Sequence, residues 1–379
     1  MGNKIRVCHV TSVHSRYDTR IFYKECSSLA KAGYDVTLLV ADGLHDELLN
    51  GVHIISVTKR TTSRFQRILK SAGLMLGKAL EVDAEIYHLH DPELLPLGMK
   101  MKKYGKKVIF DSHENYPAQI KTKYYIPAFA RHLASQVYKF YETNAVSQFD
   151  AVITPCTFYN GVDIFGERCK KTEVISNAPL LSEFYDKYKA NVRKENAPMK
   201  LCHVGGLTYE RGITHLIKAS YKAGTILMLA GKFSPEGYHE ELMKMPEYNC
   251  VDYRGFLSRD SLVDFYHEAN VGVATILNVG QYNTGDNFAT KVYEYMSMSL
   301  PVIISKYPYV EKMLKNYEFG ITVNPVNIKE ITNVIKYCKD HYEERARMGK
   351  NGRCAIFNKL NWNIEEQKLV RLYKTLSLS

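Results

Sequence analysis

Residues 5–40 read IRVCHVTSVHSRYDTRIFYKECSSLAKAGYDVTLLV, in the order strand, polar loop, helix and second strand. Apolar runs at residues 5–10 and 36–40 predict two buried strands. Between them, Asp18 or Thr19 can cap a helix, and Gly33 is suited to end it. A helix between two such strands predicts a parallel βαβ unit, the repeating element of α/β domains.

The same alternation continues along the chain and then starts again. Further strands are predicted at residues 54–57, 86–89, 108–111 and 151–154, and a second series begins at residue 201 with strands at 226–230, 251–255, 271–275 and 301–305. Because 379 residues exceed what one core usually organises, we expect two Rossmann-like, doubly wound domains at 1–180 and 200–360. Residues 181–199 are the predicted linker, and a helix at 361–379 is expected to pack back toward the first domain.

Composition indicates an ordinary globular protein, with 45% hydrophobic and 24% charged residues. The eight cysteines are scattered without a CxxC pair or zinc-ligand spacing, so we interpret them as reduced thiols. The first apolar run is too short for a signal peptide or a membrane span. These features together predict a cytoplasmic protein.

The formal net charge of +11 is partly concentrated between residues 59 and 78, where six basic residues occur without an acidic one. Apolar residues from Phe65 to Leu76 alternate with them at near-helical spacing, which is typical of a basic amphipathic helix. We therefore expect a peripheral position at the inner face of a membrane, with an anionic membrane surface as a partner. The alternative is an ordinary surface helix. No nucleic-acid-binding signature accompanies the charge.

Several common site motifs are missing from the sequence. Neither GxGxxG nor GxxxxGK[ST] occurs, which argues against a dinucleotide dehydrogenase and a P-loop enzyme. No Asp-x-Asp motif for a divalent metal is present either. The stretch from His88 to Asp91 has two histidines without a third ligand nearby in sequence, and we interpret it as structural. No metal site and no cofactor are predicted.

Residues 286–305, DNFATKVYEYMSMSLPVIIS, form a loop, a helix and a buried strand. Thr290 can cap this helix, whose first-turn amides would face the carboxyl end of a parallel sheet, where phosphates commonly bind. Glu294 lies about one turn further and can accept hydrogen bonds from ribose hydroxyls, whereas Asp286 can hold hydroxyls of a sugar. Lys291 and Arg211 can offset the charge of a diphosphate.

This Asp286-x7-Glu294 pattern resembles the Glu-x7-Glu signature of retaining glycosyltransferases of family 4, which have the GT-B fold. The opening stretch, "HLHDPELLPLG", "DSHENYP" and "HVGGLTYERGITHLIKA" resemble the same family in the same order. The resemblance implies an α/β protein whose two domains face each other across a cleft. It places the acceptor in domain 1–180 and the nucleotide sugar in domain 200–360.

The resemblance also implies roles for individual residues. Glu294 would bind the nucleotide ribose, Asp286 the donor sugar, and His113 would lie near that sugar, so these three are the candidate catalytic residues. Asp286 stands where the family usually has Glu. The remaining predicted nucleotide-binding residues are Gly205, Gly206, Arg211, Phe288, Ala289, Thr290 and Lys291. Gly206 stands at the family's usual Arg position and Arg211 at its Lys position, so Lys291 is the expected replacement for the missing cation.

The expected reaction is metal-independent, retaining transfer of a hexose from a nucleotide-diphosphate sugar, with UDP as the expected nucleotide. In the family, the departing phosphate oxygen itself receives the acceptor proton. The basic segment favours a glycan or lipid-linked glycan acceptor in surface polysaccharide biosynthesis, such as lipopolysaccharide. Two alternatives stay open: a nucleotide-sugar epimerase of the same fold, and a noncatalytic nucleotide-sugar-binding partner.

Overall fold

The computed structural model of the chain describes residues 4–57, 72–123, 126–159, 162–190, 198–279 and 283–378. The chain forms two compact units. Unit 1 comprises Met1–Asn177 and Asn363–Ser379, and unit 2 comprises Ala178–Trp362. Most of the basic segment predicted between residues 59 and 78 lies outside the described residues, and only residues 72–78 fall within a described helix.

Unit 1 contains an eight-stranded sheet within its described residues, in the order β10-β7-β6-β5-β1-β2-β4-β3. All neighbouring strands are parallel except β3 and β4. The strands are β1 (Arg6–Val10), β2 (Asp35–Val40), β3 (Glu47–Leu49), β4 (Val52–Ser56), β5 (Ile86–Leu89), β6 (Lys107–Asp111), β7 (Ala151–Thr154) and β10 (Thr172–Val174), with β8 (Phe158–Tyr159) and β9 (Val162–Asp163) forming a separate hairpin.

The first helical segment of unit 1 follows the sequence pattern closely. It begins with a wide, π-type portion at Thr19–Cys26 and continues as α1 (Ser27–Lys31). Asp18 is the N-cap and its side chain accepts hydrogen bonds from the amides of Arg20 and Ile21, so the predicted capping by Asp18 is confirmed. The other helices are α2 (Ala72–Val82), α3 (Leu95–Lys103), α4 (Tyr116–Thr122), α5 (Ala128–Val146) and α13 (Trp362–Leu378).

Unit 2 is organised around a parallel sheet of six described strands in the order β13-β12-β11-β14-β15-β16. These strands are β11 (Lys200–Val204), β12 (Ile226–Ala230), β13 (Val251–Tyr253), β14 (Val271–Ala274), β15 (Val302–Ser305) and β16 (Gly320–Val323). The helices are α6 (Ile213–Ala223), α7 (Tyr238–Met243), α8 (Arg259–Glu268), α9 (Thr290–Ser297), α10 (Pro308–Tyr317), α11 (Ile328–Asp340) and α12 (Tyr342–Asn358).

Both faces of the unit 2 sheet are buried. Met228 of β12 packs into one apolar cluster, whereas its neighbours Leu227 and Leu229 pack into another. Because successive side chains of a strand point to opposite faces, the two clusters lie on opposite sides of the sheet. The predicted α/β class with two parallel-sheet domains is confirmed.

The unit boundaries differ from those expected. Phe184 lies in the predicted linker, but it is buried in the core of unit 2 with its ring 5.5 Å from that of Tyr266. The aromatic residues of this stretch therefore supply core surface to unit 2, which begins at Ala178. From Asn363 onward α13 belongs to unit 1, where Leu369, Leu372 and Tyr373 are buried.

No helix in the described part of the chain is both long enough and apolar enough to cross a membrane.

Candidate functional site

Both sheets contain a point at which the strand order reverses. In unit 1 this point lies between β1 and β5, and in unit 2 between β11 and β14. In open α/β sheets, ligands bind in the crevice that forms beyond the carboxyl ends of the strands at such a point. The candidate residues of each unit are therefore described from these strand ends outward.

The loop after β11 approaches neighbouring backbone and side chains closely. Gly205 has a positive φ of 112°, and a Cβ atom there would lie 3.5 Å from Nζ of Lys291. Gly231, at the end of β12, has φ 145°, and its Cβ would lie 1.8 Å from the carbonyl oxygen of Gly205. A side chain at Gly231 is thus incompatible with the loop. By contrast, a Cβ at Gly206 would fit without a clash, because the only atom within 4 Å of it would be the Thr208 methyl carbon, at 4.0 Å.

Arg211 ends a short 3₁₀ turn, Tyr209–Arg211, directly before α6. The Thr208 hydroxyl oxygen accepts a hydrogen bond from the Arg211 amide, and Gly212 turns the chain with φ 75°. A Cβ at Gly212 would lie 2.1 Å from the carbonyl oxygen of Thr275, beyond the end of β14. The backbone of this turn therefore lies directly against Thr275, next to the point at which the strand order of the unit 2 sheet reverses.

Lys291 is a buried cation beside the Gly205 loop. Its Nζ lies 2.8 Å from Nε2 of His203, whose Nδ1 is 3.0 Å from the carbonyl oxygen of Val273. A carbonyl only accepts, so Nδ1 of His203 donates and Nε2 accepts from Lys291. Burial, followed by the charge of Arg211, lowers the pKa of Lys291 to about 7. Burial and the charge of Lys291 likewise hold the pKa of His203 well below its usual range.

Glu294 is buried one turn into α9, and both carboxylate oxygens have protein partners. Oε1 accepts a hydrogen bond from Nη1 of Arg259 at 2.6 Å, and Oε2 accepts one from the Tyr266 hydroxyl. Each oxygen retains a second lone pair that can accept from a ribose hydroxyl. Arg259 and Tyr266 were not predicted from the sequence. Only the packing of α8 against α9 brings them to Glu294.

The loop before α9 corrects the predicted cap and limits what the Phe288 side chain can contact. Ala289, not Thr290, is the N-cap residue of α9, no side chain caps the helix there, and Thr290 is its exposed first residue. The Phe288 ring is buried against Tyr293 and Phe319, so this side chain belongs to the core and not to a nucleotide surface. Asp286 is half-buried at the same loop. The amides of the first turn of α9 have no partner within the helix, as at any helix start.

In unit 1, Asp91 organises the loop that follows β1. Its Oδ2 atom accepts hydrogen bonds from the Thr11 hydroxyl at 2.8 Å and the Ser12 amide at 2.7 Å. His14, in the same loop, lies 3.5 Å from carboxylate oxygens of both Asp18 and Asp91. Burial opposes the charged form of His14, but its hydrogen bond to Asp18 and the nearby carboxylates outweigh burial, so its pKa is raised.

His113 follows β6 and is held by the buried Asp111. Nε2 of His113 lies 3.0 Å from Oδ2 of Asp111, which also accepts from Nε of Arg20 at 2.7 Å. Burial alone would raise the pKa of Asp111, but Arg20 and His113 hold it well below its usual range. An ionised Asp111 fixes the proton of His113 on Nε2, so Nδ1 can accept a hydrogen bond. The His14 ring lies 4.9 Å from that of His113.

A hydrogen-bonded chain of histidines runs from His90, beside Asp111, to the C-terminal helix. His90 Nε2 lies 2.9 Å from His9 Nδ1, and the Tyr373 hydroxyl lies 3.2 Å from His9 Nε2 and 2.9 Å from His88 Nδ1. His90 Nδ1 is 3.4 Å from Oδ2 of Asp111. His90 Nδ1 makes no hydrogen bond at that distance, so the hydrogen bonds run from His90 through His9 and Tyr373 to His88.

Burial lowers the pKa of all three histidines in this chain, which agrees with neutral imidazoles. Glu25, beside Arg20, is also fully buried, and burial together with the charge of Asp111 raises its pKa well above the usual range. The interpretation of His88 and His90 as structural residues therefore accords with their contacts. The sequence did not indicate that Arg20, Asp111 and Tyr373 join them.

Two groups in this cluster have ligand atoms within 4.8 Å of one another: His9, Glu25, His88 and His90, and His90, Asp111 and His113. Four of the six nitrogens of His9, His88 and His90 already form hydrogen bonds to protein atoms. A metal ion needs several lone pairs that converge on one point. His88 Nε2, His90 Nδ1 and both carboxylate oxygens of Glu25 have no hydrogen-bond partner in this cluster.

Solved structures with the same fold come from several sugar-transferring enzymes. Sucrose-phosphate synthase from Thermosynechococcus elongatus is 17% identical, with a TM-score of 0.79 over 99% of this chain and 100% of that one. Anabaena HepE in complex with UDP and glucose is 14% identical, with a TM-score of 0.71 over 99% and 100%. WaaG, described as a glycosyltransferase involved in lipopolysaccharide biosynthesis, is 11% identical, with a TM-score of 0.68 over 97% and 99%. These similarities confirm the GT-B fold.

Sequence comparisons agree with the fold. An uncharacterized glycosyltransferase from Methanocaldococcus jannaschii is 24% identical over 192 residues, which span 49% of this chain and 47% of that protein. The family model described as Glycosyltransferase Family 4 matches residues 19–177, and the model described as Glycosyl transferases group 1 matches residues 184–354. Because the two models together match most of both units, the chain belongs to the group 1/family 4 glycosyltransferases.

Proposed function

We propose that this protein transfers a hexose, with retention of configuration and without a metal ion, from a UDP-sugar to a glycan or lipid-linked glycan acceptor in surface polysaccharide biosynthesis. The supporting observation is the buried Lys291 beside the Gly205 loop, close enough to the half-buried Arg211 for the two positive charges to repel each other. Their mutual repulsion and burial lower the pKa of Lys291, which makes the site favourable for an anion. A nucleotide diphosphate is the anion that the family membership suggests.

The donor residues of unit 2 divide by the part of the ligand they would contact. Lys291 and Arg211 would neutralise the diphosphate, both in the bound donor and as it departs. The amides at the start of α9 would add hydrogen bonds to the phosphates. Glu294 would use the lone pairs that Arg259 and Tyr266 leave to bind the ribose hydroxyls. Asp286 would contact the transferred sugar.

In unit 1, His113 would accept a hydrogen bond from a hydroxyl of the transferred sugar through Nδ1. Asp111 supports this role because it fixes the proton on Nε2. In a retaining reaction on the front face of the donor, the departing phosphate oxygen receives the acceptor proton, so no protein nucleophile is required.

UDP, the acceptor class and the membrane are supported by relatives and by sequence. The Anabaena HepE structures contain UDP, and WaaG is described as acting in lipopolysaccharide biosynthesis. The basic sequence between residues 59 and 78 favours a peripheral position at an anionic cytoplasmic membrane surface. A lipid-linked acceptor would be presented at such a surface.

Nucleotide binding and turnover in two variants test the assignment. Glu294→Ala should weaken UDP binding by roughly ten- to a hundredfold, since a hydrogen bond to a charged group contributes about 1.5–3 kcal/mol. His113→Ala should bind UDP normally but lose turnover by orders of magnitude, because His113 contacts only the sugar. Calorimetry and steady-state kinetics measure the two effects.

Glu294→Gln serves as the control for folding, because its amide oxygen can still accept from Tyr266. If both Glu294 variants are folded and bind UDP like the unmodified protein, the nucleotide site is misplaced. Incubation with donor alone separates the alternatives: an isomerised nucleotide sugar would indicate an epimerase. Tight UDP binding with no product from a panel of donors and lipid-linked acceptors would indicate a noncatalytic partner.

A further inference from the structure

Unit 2 contains a cavity of about 440 Å³ at the edge of its sheet that is opposite the proposed nucleotide site. Asn270 and Pro301 line this cavity and directly precede β14 and β15, so it lies at the amino ends of these parallel strands. The Gly205 loop, by contrast, follows the carboxyl end of β11. Because a strand of four residues such as β14 spans about 13 Å, the cavity and the nucleotide site are separate.

Four cations and no carboxylate line the described part of this cavity. Two of them are guanidinium groups on α12, and the other two are exposed ammonium groups. None of the four forms an ion pair with a described residue. We refer to Lys189, Arg345, Lys350 and Arg353 as the basic cluster.

The two arginines of the basic cluster differ from Arg347 on the same helix. Arg347 is exposed and pairs with Glu318 and Glu344. Arg345 and Arg353 are half-buried, and each donates from Nη1 to a backbone carbonyl oxygen, at 2.8 Å and 2.5 Å respectively. Since a guanidinium group has five N–H donors, each retains at least three donors without a partner among the described residues.

Burial makes these two charges unfavourable in the protein as it stands. It lowers the pKa of both Arg345 and Arg353. The exposed Asp186 lies near Arg353 and acts in the opposite direction, but its effect is smaller than that of burial. A buried charge without a counter-ion is stabilised by a charge of opposite sign, so the cavity favours an anion.

Tyrosine rings hold the guanidinium groups in place. The Arg353 Cζ atom lies 3.6 Å from the ring centroid of Tyr185 and 4.5 Å from that of Tyr188. The Arg345 Cζ atom lies 5.2 Å from the ring centroid of Tyr342. These contacts orient the arginines without neutralising them. An arginine oriented in this way can donate two parallel hydrogen bonds to one phosphate group.

The charge and the volume of the cavity indicate the class of its ligand. Four cations exceed what one carboxylate can neutralise, whereas a phosphate monoester carries about two negative charges near neutral pH. The volume of about 440 Å³ lies within the range of about 300–1,000 Å³ that is typical of small-molecule sites. An organic group therefore fits beside the phosphate, and the tyrosine rings can cover it.

We propose that this cavity binds a small phosphorylated molecule, whose phosphate group is held by Arg345 and Arg353. The organic part of the ligand packs against the tyrosine rings. Lys189 and Lys350 add positive charge at the exposed rim and attract the ligand. This site is additional to the proposed nucleotide site and does not depend on the proposed transfer reaction.

The cavity also borders α9, the helix that carries Lys291 and Glu294. Arg353 donates to the carbonyl oxygen of Ser297, the last residue of α9, and Ser299 lines the cavity. A phosphate group on Arg353 therefore lies next to the C-terminal end of α9, whereas the first turn of this helix belongs to the proposed nucleotide site. One helix of eight residues connects the two sites.

Calorimetric titration of the full chain with inorganic pyrophosphate tests the proposal. The unmodified protein should bind two molecules, one in the cavity and one at the nucleotide site. Arg345→Gln combined with Arg353→Gln should weaken binding in the cavity by about a hundredfold, since each charged hydrogen bond that is lost costs about tenfold. Lys291→Met should weaken only the other site. Arg347→Gln is the matched control, because Arg347 lies on α12 outside the cavity, and it should bind both molecules normally.

A second pair of substitutions keeps the test valid if the arginine variant does not fold. Lys189→Glu combined with Lys350→Glu changes only exposed side chains. This variant should weaken pyrophosphate binding in the cavity by at least about tenfold, because two attractive charges become repulsive.

Alkylation of Cys354 gives a measurement at the cavity itself. Cys354 lines the cavity and is the one exposed thiol of the eight, all of which lie within the described residues. Pyrophosphate, ribose 5-phosphate and AMP should each slow its reaction with iodoacetamide, measured by mass spectrometry, and leave the half-buried Cys250 unaffected. The two esters should protect at about tenfold lower concentration than inorganic phosphate, since contacts with aromatic rings contribute about that factor.

Several results would overturn the proposal. The folded arginine and lysine variants could bind two pyrophosphate molecules like the unmodified protein, or Arg347→Gln could weaken binding as much as they do. Unchanged alkylation of Cys354 with every probe would show that the cavity holds none of them, and equal protection by inorganic phosphate would exclude recognition of an organic part. If the arginine variant loses one molecule and Lys291→Met loses none, the proposal stands and the nucleotide site is misplaced.

Discussion

The low pKa of Lys291 makes nucleotide binding dependent on pH in a direction that can be stated in advance. At about 7, this pKa lies well below the usual 10.5 of lysine, because the ammonium group is buried and close to Arg211. A bound diphosphate adds negative charge beside Lys291 and stabilises its protonated form. Binding above pH 7 must therefore be accompanied by uptake of a proton.

The size of the effect follows from the protonated fraction of the free protein. About half of Lys291 is protonated at pH 7 and about 1% at pH 9, so the Kd for UDP should rise by roughly fiftyfold between these values. The difference between 10.5 and about 7 corresponds to about 5 kcal/mol, the upper limit of what a diphosphate could recover at Lys291. The pKa of the last phosphate ionisation is near 6 and so lies below the interval from pH 7 to pH 9.

Calorimetric titration with UDP at several pH values measures the slope directly. At pH 8 the same titration in two buffers of different ionisation enthalpy should show uptake of about 0.9 proton. Lys291→Met should bind more weakly at pH 7 and show a constant Kd up to pH 9. A Kd of the unmodified protein that does not change over this range, or an equal slope in Lys291→Met, would refute the assigned role.

Three further predictions concern stability and metal dependence. Asp111→Asn should lower the free energy of unfolding by roughly 1.5–3 kcal/mol in chemical denaturation, because Arg20 loses a charged hydrogen-bond acceptor and keeps only the carboxyl group of Glu25 beside it; an unchanged midpoint would contradict this. Gly231→Ala should lower the melting temperature much more than Gly237→Ala, since both glycines have positive φ but only Gly231 would clash, with the Gly205 carbonyl oxygen; equal losses would show that backbone strain alone matters. Transfer activity should persist in excess EDTA, and its loss with recovery on addition of manganese would contradict metal independence.

Strands buried on both faces were the most predictable part of the fold. The strands predicted at residues 86–89, 151–154 and 226–230 have these bounds in the structure. Such strands are continuous apolar runs between polar loops, so hydrophobicity alone locates them. In contrast, β10 (Thr172–Val174) and β16 (Gly320–Val323) were not predicted. They are short and largely half-buried edge strands, and their sequences carry little apolar signal.

The candidate site was predictable for those residues whose placement follows from residue type and from position in a strand, loop or helix. The positions of Gly205, Arg211 and Lys291 near the carboxyl end of β11 follow from the strand–loop–helix order. The predicted capping of α9 was wrong because the helix begins at Thr290, one residue earlier than a Thr290 cap requires. The ring of Phe288 packs in the core, which the sequence did not indicate, because a loop residue next to a motif can still turn its side chain inward.

The sequence by itself determined the two parallel sheets, the α/β class and the family, because these depend on periodicity and on motifs within short segments. Only the tertiary structure decided which polar groups meet. Arg20 reaches Asp111, His9 reaches His90 and Tyr373 reaches His88 across long stretches of chain. These contacts depend on strand order, strand register and the packing of α13, and no local pattern encodes them. The burial that this packing produces lowers the pKa of Lys291, and the contacts with Arg20 and His113 hold that of Asp111 low despite burial.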